Sequence, residues 1–233
     1  AFVSRFSLLL FVLLVPMWLT SCGEPESLPP FAEVIDLGLE RYLGTVQAAS
    51  GVDLGDGITQ LEFDVADGPV CLRGDSFRAA TRQGSSDGKE FMVFLQGGGA
   101  CWSTVCQSFA TAMSGVPSGG ILTTTLGANP VRSWDVGFVP YCDGSLFAGD
   151  VEVDDDGDGE IDRYHRGQRN LSAALDAIHE QFPDPSRLLL VGVSAGAYGT
   201  VFSAMLARSV WPDVAITAIA DGGVGLGRPN DPG

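Results

Sequence analysis

The chain has 233 residues, of which 45% are hydrophobic and 18% are charged, and its formal net charge is −16. This composition excludes a disordered protein and is typical of one globular domain with an ample core. The excess of acidic residues also excludes nucleic acid as a partner, because phosphate contacts need clustered Lys and Arg.

The N-terminal segment has the pattern of an export signal. An apolar run over residues 8–19 is too short to predict a membrane span. It ends in the sequence LTSCG, which resembles a bacterial lipobox, in which the signal is cleaved before a lipid-modified cysteine. We predict a signal peptide at residues 1–21, lipidation of Cys22 and a tether at residues 22–30. The protein would then be an exported cell-envelope lipoprotein held at the membrane by its lipid, or a secreted protein if Cys22 carries no lipid.

Export permits disulfides, and setting Cys22 aside leaves an even number of cysteines. These are Cys71, Cys101, Cys106 and Cys142. Metal binding is the alternative, but four residues between Cys101 and Cys106 do not give a zinc spacing, and no histidine pair accompanies them. Disulfides are therefore favoured.

The pattern of apolar residues predicts strands alternating with helices. Residues 31–50 predict one or two short helices, and the alternation over residues 59–65 predicts a strand. Nearly continuous apolar runs predict strands that are buried on both faces at residues 90–96, 134–141, 187–193 and 214–220. Helical spacing predicts an amphipathic helix at residues 164–182, and small residues predict another at 197–210. The fold class is therefore α/β, with a mostly parallel sheet flanked by helices.

The acidic insertion, residues 150–162, contains eight acidic residues and no Lys or Arg. Its spacing matches a calcium-binding loop at positions 1, 3, 5, 6, 8 and 9, while His165 stands where the twelfth position needs a bidentate carboxylate. We predict a structural Ca²⁺ ion, whose candidate ligands are Asp154, Asp156, Asp158, Glu160 and Asp162. A solvated acidic insertion without an ion is the alternative.

The strand at residues 187–193 runs directly into the pattern Gly-x-Ser-x-Gly, at Gly192, Ser194 and Gly196. A serine between such a strand and a helix sits on a sharp turn that exposes its hydroxyl group, the nucleophile elbow of α/β-hydrolases. We therefore predict that Ser194 is a catalytic nucleophile. The alternative is a glycine-rich strand-to-helix loop without chemistry.

A second glycine-rich segment follows the strand at residues 90–96. It does not fit a dinucleotide site, because Trp102 occupies the place of the third glycine in Gly-x-Gly-x-x-Gly. It does fit an oxyanion hole, in which backbone N–H groups converge on one point. Esterases combine such a loop with the N–H group of the residue after the nucleophile.

Five spaced motifs together resemble one family. They are residues 70–74 (VCLRG), 94–102 (FLQGGGACW), 140–150 (PYCDGSLFAGD), 166–169 (RGQR) and 192–196 (GVSAG). Over about residues 60–225 the chain resembles the pectin acetylesterase and Notum family of α/β-hydrolase-like carboxylesterases. The motif spacing and the order of motifs along the chain carry this resemblance.

The resemblance implies roles for individual residues. Ser194 would be the nucleophile, and the backbone N–H groups of Gly98, Gly99 and Ala195 would form the oxyanion hole. It also implies the disulfides Cys101–Cys106 and Cys71–Cys142. The chain departs from the family at Ala197, where a second glycine usually follows the serine motif.

The catalytic base is the main gap in the resemblance. Members of the family place the Asp and His of the triad well after the segment that corresponds to residues 221–223. His179 and His165 both precede Ser194, whereas hydrolases of this order carry histidine after the serine. We therefore expect residues 31–233 to be a partial esterase domain, incomplete at its C-terminus, with little turnover on its own.

The expected function is that of an exported serine carboxylesterase. It would remove O-acyl groups, acetyl foremost, from a polysaccharide such as pectin, and it would need no cofactor for catalysis. The alternative is a non-catalytic surface lipoprotein that uses the same scaffold for carbohydrate or Ca²⁺-dependent binding.

Overall fold

The structure, a computed structural model, describes residues 31–48, 50–102 and 104–223. The predicted signal peptide, Cys22 and the tether lie outside the described residues. The strands are β1 (Ser50–Gly55), β2 (Ile58–Glu62), β3 (Arg78–Arg82), β4 (Glu90–Leu95), β5 (Gly99–Trp102), β6 (Val105–Ser108), β7 (Asp135–Val139), β8 (Val151–Val153), β9 (Arg163–His165), β10 (Arg187–Val193) and β11 (Ala215–Asp221). The α-helices are α1 (Ala32–Asp36), α2 (Gly167–Gln181) and α3 (Ala195–Val210).

Seven strands form the central sheet in the order β1-β2-β3-β7-β4-β10-β11. The pairs β7–β4, β4–β10 and β10–β11 are parallel, whereas β1, β2 and β3 are joined by antiparallel pairing. Five of these seven strands consequently point in one direction. The sheet confirms the α/β class with a mostly parallel arrangement.

The two faces of the sheet are covered in different ways. Alternate residues of β4 and β10, such as Phe91 and Leu190, pack with α2 and α3 in one core. Their neighbours Met92 and Leu189 face a second core. Residues of the segment 116–134, including Leu122, close this second core without an α-helix. In the described chain, the helices α2 and α3 therefore flank one face of the sheet only.

The predicted amphipathic helix at residues 164–182 starts later than its pattern suggested. Tyr164 and His165 belong to β9, which pairs with β8, and α2 begins at Gly167. The apolar spacing that predicted the helix lies further along, where Leu171, Leu175 and Ile178 are fully buried. The first residues of the prediction instead serve the hairpin that carries the acidic insertion.

The edge strand β11 has exposed residues on both of its faces. Of its seven residues only Ile216 is partly buried, and Ile219 is 45% exposed. The strand predicted at residues 214–220 is therefore present, but the prediction that it is buried on both faces is wrong. Strands in parallel sheets are normally covered on both faces, so this exposure is unusual for an apolar strand. Among the helices that the structure describes, none is long and apolar enough to cross a membrane.

Candidate active site

The serine turn, residues 192–196, joins the end of β10 to the start of α3. Ser194 is exposed and has φ 54° and ψ −116°, a backbone conformation that residues other than glycine rarely adopt. Its backbone N–H group donates a hydrogen bond of 2.8 Å to the carbonyl oxygen of Asp221 at the end of β11. Strained conformations of this kind persist where the surrounding structure enforces them, and they concentrate at functional sites.

The glycines of the serine turn allow its backbone to pass very close to other segments. A Cβ atom on Gly192 would lie 1.9 Å from the carbonyl oxygen of Gly196. A Cβ atom on Gly196 would lie 2.1 Å from the carbonyl oxygen of Leu95, at the end of β4. Both distances are far below van der Waals contact. The sharpness of the turn therefore requires glycine at Gly192, and packing of the turn against β4 requires glycine at Gly196.

The oxyanion loop, Gln96–Ala100, lies directly against the serine turn. A Cβ atom on Gly97 would be 3.0 Å from Cβ of Ser194. The loop continues into the hairpin of β5 and β6, in which Cys101 and Cys106 stand opposite each other and form a disulfide. The second disulfide, Cys71–Cys142, is also present. Both bridges implied by the family resemblance therefore occur in the structure.

A pocket of about 570 Å³ opens beside Ser194. It brings together Ser194, Ala195 and Gly99, three of the four residues expected to form the nucleophile and the oxyanion hole. Gly98, the fourth, immediately precedes Gly99 but does not line the pocket wall. The complete lining is Gly99, Ala100, Cys101, Trp102, Gly144, Ser145, Leu146, Ser194, Ala195 and Tyr198.

One wall of the pocket consists of Gly144, Ser145 and Leu146, in the loop that follows the second disulfide. The N–H group of Leu146 donates to the hydroxyl oxygen of Tyr141, at 2.9 Å, and the N–H group of Cys101 donates to the carbonyl oxygen of Gly144, at 2.8 Å. These bonds tie this wall to the oxyanion hairpin. Apart from the family motif, no pattern in the sequence predicts that this loop lies at the active site.

Behind this wall lies the buried carboxyl group of Asp143. Burial raises its pKa to about 6, against the lowering effects of the hydrogen bond from Ser145 and of nearby His165. Burial likewise raises the pKa of Tyr141, and the Asp143 charge adds to that effect. Neither group lines the pocket, so both support the wall rather than contact a substrate.

Neither histidine of the chain lines the pocket beside Ser194. His165 is buried, and its Nδ1 atom lies 2.7 Å from the carbonyl oxygen of Asp143. His179 packs edge-on against Trp211, with 5.3 Å between the ring centroids. It lies near the end of α2, shortly before the start of β10, whereas Ser194 follows the opposite end of that strand. Both histidines have structural contacts that account for their positions.

The acidic insertion brings only part of its predicted ligand set together. Carboxylate oxygens of Asp154, Asp156 and Asp162 lie within 4.8 Å of one another, while Asp158 and Glu160 are outside this group. The twelfth position of the loop, His165, is buried against the carbonyl oxygen of Asp143. Binding of Ca²⁺ by the insertion stays a prediction of the sequence.

Two pocket residues were missed by sequence reasoning as candidates for substrate contact. Trp102 ends the family motif at residues 94–102 and breaks a dinucleotide motif, but neither pattern predicts a role for it, although it lines the pocket and is 61% exposed. Tyr198 lies one helical turn after Ser194, a spacing that could have placed it beside the nucleophile. The family resemblance gives neither residue a role, so only the fold reveals that both line the pocket.

Comparison with known proteins agrees with the observed fold and pocket. A family model described as pectinacetylesterase matches residues 52–230. Pectin acetylesterase 11 of Arabidopsis thaliana is 31% identical over 183 residues, which are 71% of this chain and 45% of that protein. Pectin acetylesterase 7 of the same plant is 29% identical over 179 residues, with the same coverage. The chain thus spans about half the length of the curated relatives it matches.

The fold is also found in a solved structure of the Wnt deacylase Notum from Drosophila. The two structures superpose with a TM-score of 0.56 at 19% sequence identity, over 75% of this chain and 52% of Notum. At that identity the similarity concerns the fold alone. It agrees with the α/β-hydrolase-like arrangement of β4, β10 and the serine turn.

Proposed function

The chain belongs to the pectinacetylesterase family, and on that premise we propose that it is an exported serine carboxylesterase that removes O-acyl groups, acetyl foremost, from a polysaccharide. One observation supports this most strongly. Ser194 occupies an exposed, strained turn and shares a pocket with Gly99 and Ala195 of the expected oxyanion hole.

In the proposed reaction, Oγ of Ser194 attacks the carbonyl carbon of the ester while a general base takes the hydroxyl proton. The negative charge that develops on the carbonyl oxygen would be stabilised by the N–H groups of Gly98, Gly99 and Ala195. Collapse of the intermediate breaks the bond to the sugar oxygen, which leaves as an alcohol with the proton from the base. Water then hydrolyses the acyl-serine, releasing the carboxylic acid and restoring Ser194.

Preorganised donors are the main contribution of the oxyanion loop. The disulfide Cys101–Cys106 and the hydrogen bond from Cys101 to Gly144 hold the loop in place before a substrate arrives. Donors that need no rearrangement during the reaction are worth more, and loss of one costs about 100- to 1,000-fold in rate.

We propose that the general base is a histidine outside these 233 residues. His165 and His179 are both engaged elsewhere, as described above. The exposure of β11 supports this proposal, because an apolar parallel strand on which all residues but Ile216 are exposed provides a surface for a further segment. That segment would pack next to Asp221, whose carbonyl oxygen accepts a hydrogen bond from the Ser194 N–H group.

Two disulfides are consistent with an exported protein, since such bonds persist in oxidising compartments. We propose that export is followed by lipidation of Cys22 and attachment to the membrane. Substitution of Cys22 by Ser should move the protein from the membrane fraction to the soluble fraction. An unchanged distribution would contradict lipid attachment at this residue.

The proposed function is tested with the full-length gene product, p-nitrophenyl acetate and an acetylated polysaccharide. Ser194→Ala should lower kcat on both substrates by roughly 1,000-fold or more. Ser209→Ala is the matched control, because it removes an exposed hydroxyl group from the other end of α3. If Ser194→Ala hydrolyses as fast as the parent, Ser194 is not the nucleophile. Glycan binding without any hydrolysis by the parent would favour the non-catalytic alternative.

A further inference from the structure

We propose that Tyr141 is a positioning residue of the active site, which holds a strained turn so that the side chain of Leu146 lines the pocket beside Ser194. The inference rests on the proposed function, since it assigns a part in that reaction to a side chain behind the pocket wall. It is supported by the backbone of the turn at residues 145–148 and by the contacts that Tyr141 makes with this turn and with the oxyanion loop.

The turn at residues 145–148, called here the wall turn, has an unusual backbone. Its closing hydrogen bond runs from the N–H group of Ala148 to the carbonyl oxygen of Ser145, at 3.2 Å. Its two central residues, Leu146 and Phe147, have φ values of 58° and 65°. Turns with positive φ at both central positions normally contain Gly, Asn or Asp there, because a large side chain is strained in this conformation. Such strain persists only where the surrounding structure enforces it.

Tyr141 makes contacts that enforce this conformation at both central residues. Its hydroxyl oxygen accepts a hydrogen bond of 2.9 Å from the N–H group of Leu146. Its ring packs on that of Phe147, with 5.1 Å between the ring centroids. Because only 1% of Tyr141 is exposed, water cannot readily replace its hydroxyl oxygen as the acceptor. One tyrosine side chain therefore holds both strained residues of the wall turn.

The same tyrosine also supports the oxyanion loop. Its backbone N–H group donates to Oε1 of Gln96, the first residue of that loop, at 3.1 Å. Its ring lies against Gly98, on which a Cβ atom would be only 2.7 Å from Cδ1 of Tyr141. The hydroxyl group of Tyr141 thus serves the wall turn, whereas its backbone and ring serve the oxyanion loop. Removal of the hydroxyl group alone should disturb the wall turn and leave the oxyanion loop in place.

Leu146 is the residue through which Tyr141 acts on a substrate. Ser145 and Leu146 of the wall turn line the pocket together with Ser194. An apolar side chain in a pocket wall contributes to binding through the surface that it removes from water. Its position therefore affects the binding of the ester more than the chemical step. Loss of such binding raises KM and leaves kcat unchanged, whereas loss of an oxyanion donor lowers kcat.

The proposal is tested with the full-length gene product and p-nitrophenyl acetate. Tyr141→Phe should raise KM about fivefold and change kcat by less than about twofold, because the hydroxyl group is lost while the ring still supports Gly98. Tyr141→Leu should in addition lower kcat by about tenfold, because the ring is lost as well.

Tyr42→Phe is the matched control. The hydroxyl group of Tyr42 also has two hydrogen-bond partners, Asp150 and Arg169, but Tyr42 is not part of the pocket wall. This variant should leave KM and kcat unchanged. A rise in KM as large as that of Tyr141→Phe would show that loss of any such hydroxyl group is enough, and would overturn the proposal.

A double variant separates positioning of Leu146 from general destabilisation. In a Leu146→Ala background, Tyr141→Phe should raise KM by less than about twofold, because the side chain that Tyr141 positions is already absent. Hydrogen exchange of residues 144–148 should be faster in Tyr141→Phe than in the parent, and this measurement does not need turnover.

Three results would overturn the proposal: an equal rise in KM in both backgrounds, unchanged hydrogen exchange of the wall turn, or a fall in kcat in Tyr141→Phe as large as that in Tyr141→Leu. Failure of the esterase proposal is seen separately, as a Ser194→Ala variant that retains hydrolysis.

Discussion

The serine turn and the acidic insertion are both short glycine-containing motifs, but the fold uses their glycines in opposite ways. A Cβ atom on Gly196 would collide with the backbone of Leu95, about 100 residues earlier in β4, and one on Gly192 with the backbone of Gly196 at the start of α3. Cβ atoms on Gly157 and Gly159 would meet nothing within 4 Å. A motif in a sequence therefore does not tell whether its glycines serve long-range packing or only a local turn.

The hydrogen bonds of the two regions show the same contrast. The N–H group of Ser194 donates to Asp221, in a different strand. In the acidic insertion, the carboxylate of Asp154 accepts from its close neighbours, the N–H groups of Gly157 at 2.6 Å and Gly159 at 2.9 Å. These bonds hold the pKa of Asp154 below its usual value. The serine turn thus depends on the sheet, whereas the insertion is organised mainly by itself.

We expect the serine turn and the acidic insertion to differ most in the stability that a glycine-to-alanine substitution costs. Gly196→Ala places a methyl group 2.1 Å from the carbonyl oxygen of Leu95, so β4 or α3 must shift. We expect the free energy of unfolding to fall by about 3 kcal/mol or more. Urea unfolding of the purified protein measures this change.

Gly157→Ala is the comparison within the acidic insertion. Its methyl group meets no neighbour, but the residue has φ +79°, so we expect a loss of about 1 kcal/mol from backbone strain. If Gly196→Ala and Gly157→Ala lose equal amounts of unfolding free energy, the glycines of the serine turn are not packed more closely than those of the acidic insertion.

The buried carboxyl group of Asp143, behind the pocket wall, should change how the free energy of unfolding depends on pH. The carboxyl groups of the acidic insertion should not have this effect to the same extent. The pKa of Asp143 is raised by burial from 3.8 to about 6, so the folded protein holds this proton more tightly than the unfolded chain. Its contribution to stability is complete below about pH 4 and is lost as pH rises through about 6. The difference between these pKa values corresponds to roughly 3 kcal/mol at most.

Asp143→Asn should remove this contribution, so the stability difference between parent and variant should change between pH 4 and pH 6.5. Asp158→Asn removes the same charge from the exposed insertion and corrects for the general effect of a less negative chain. Chemical unfolding across this pH range provides the measurement. Parallel stability curves for the parent and Asp143→Asn would exclude a raised pKa at this site.

The sequence could predict the parallel strands β7, β4, β10 and β11 because their signals are local. The strands at β4, β7, β10 and β11 are continuous apolar runs, and their predicted positions agree with the structure to within a few residues. The Gly-x-Ser-x-Gly spacing likewise placed Ser194 between β10 and α3. Each of these features is encoded within a window of about ten residues.

The features that the sequence could not predict depend on contacts between distant segments. The strands β1 and β3 lack a long apolar run, and the β5–β6 and β8–β9 hairpins are only three or four residues long on each side. Trp102 lies beside Ser194 because the β5–β6 hairpin packs against a turn about 90 residues later in the chain. No local sequence pattern predicts this packing. The burial of His165 could not be predicted for the same reason, because its contact is with the carbonyl group of Asp143, 22 residues away in the sequence.

The smallest expected effect is that of calcium on the acidic insertion. Carboxylate oxygens of Asp154, Asp156 and Asp162 lie within 4.8 Å of one another. Their negative charges repel one another, and a bound cation would remove that repulsion. With a Kd in the range typical of extracellular sites, 1 mM Ca²⁺ should stabilise the protein by roughly 1 kcal/mol. The combined variant Asp154→Asn, Asp162→Asn should lose this response, while Mg²⁺ at the same concentration should not reproduce it. An identical shift in melting temperature with both ions would indicate general screening of the acidic surface, and the insertion would then be a solvated loop.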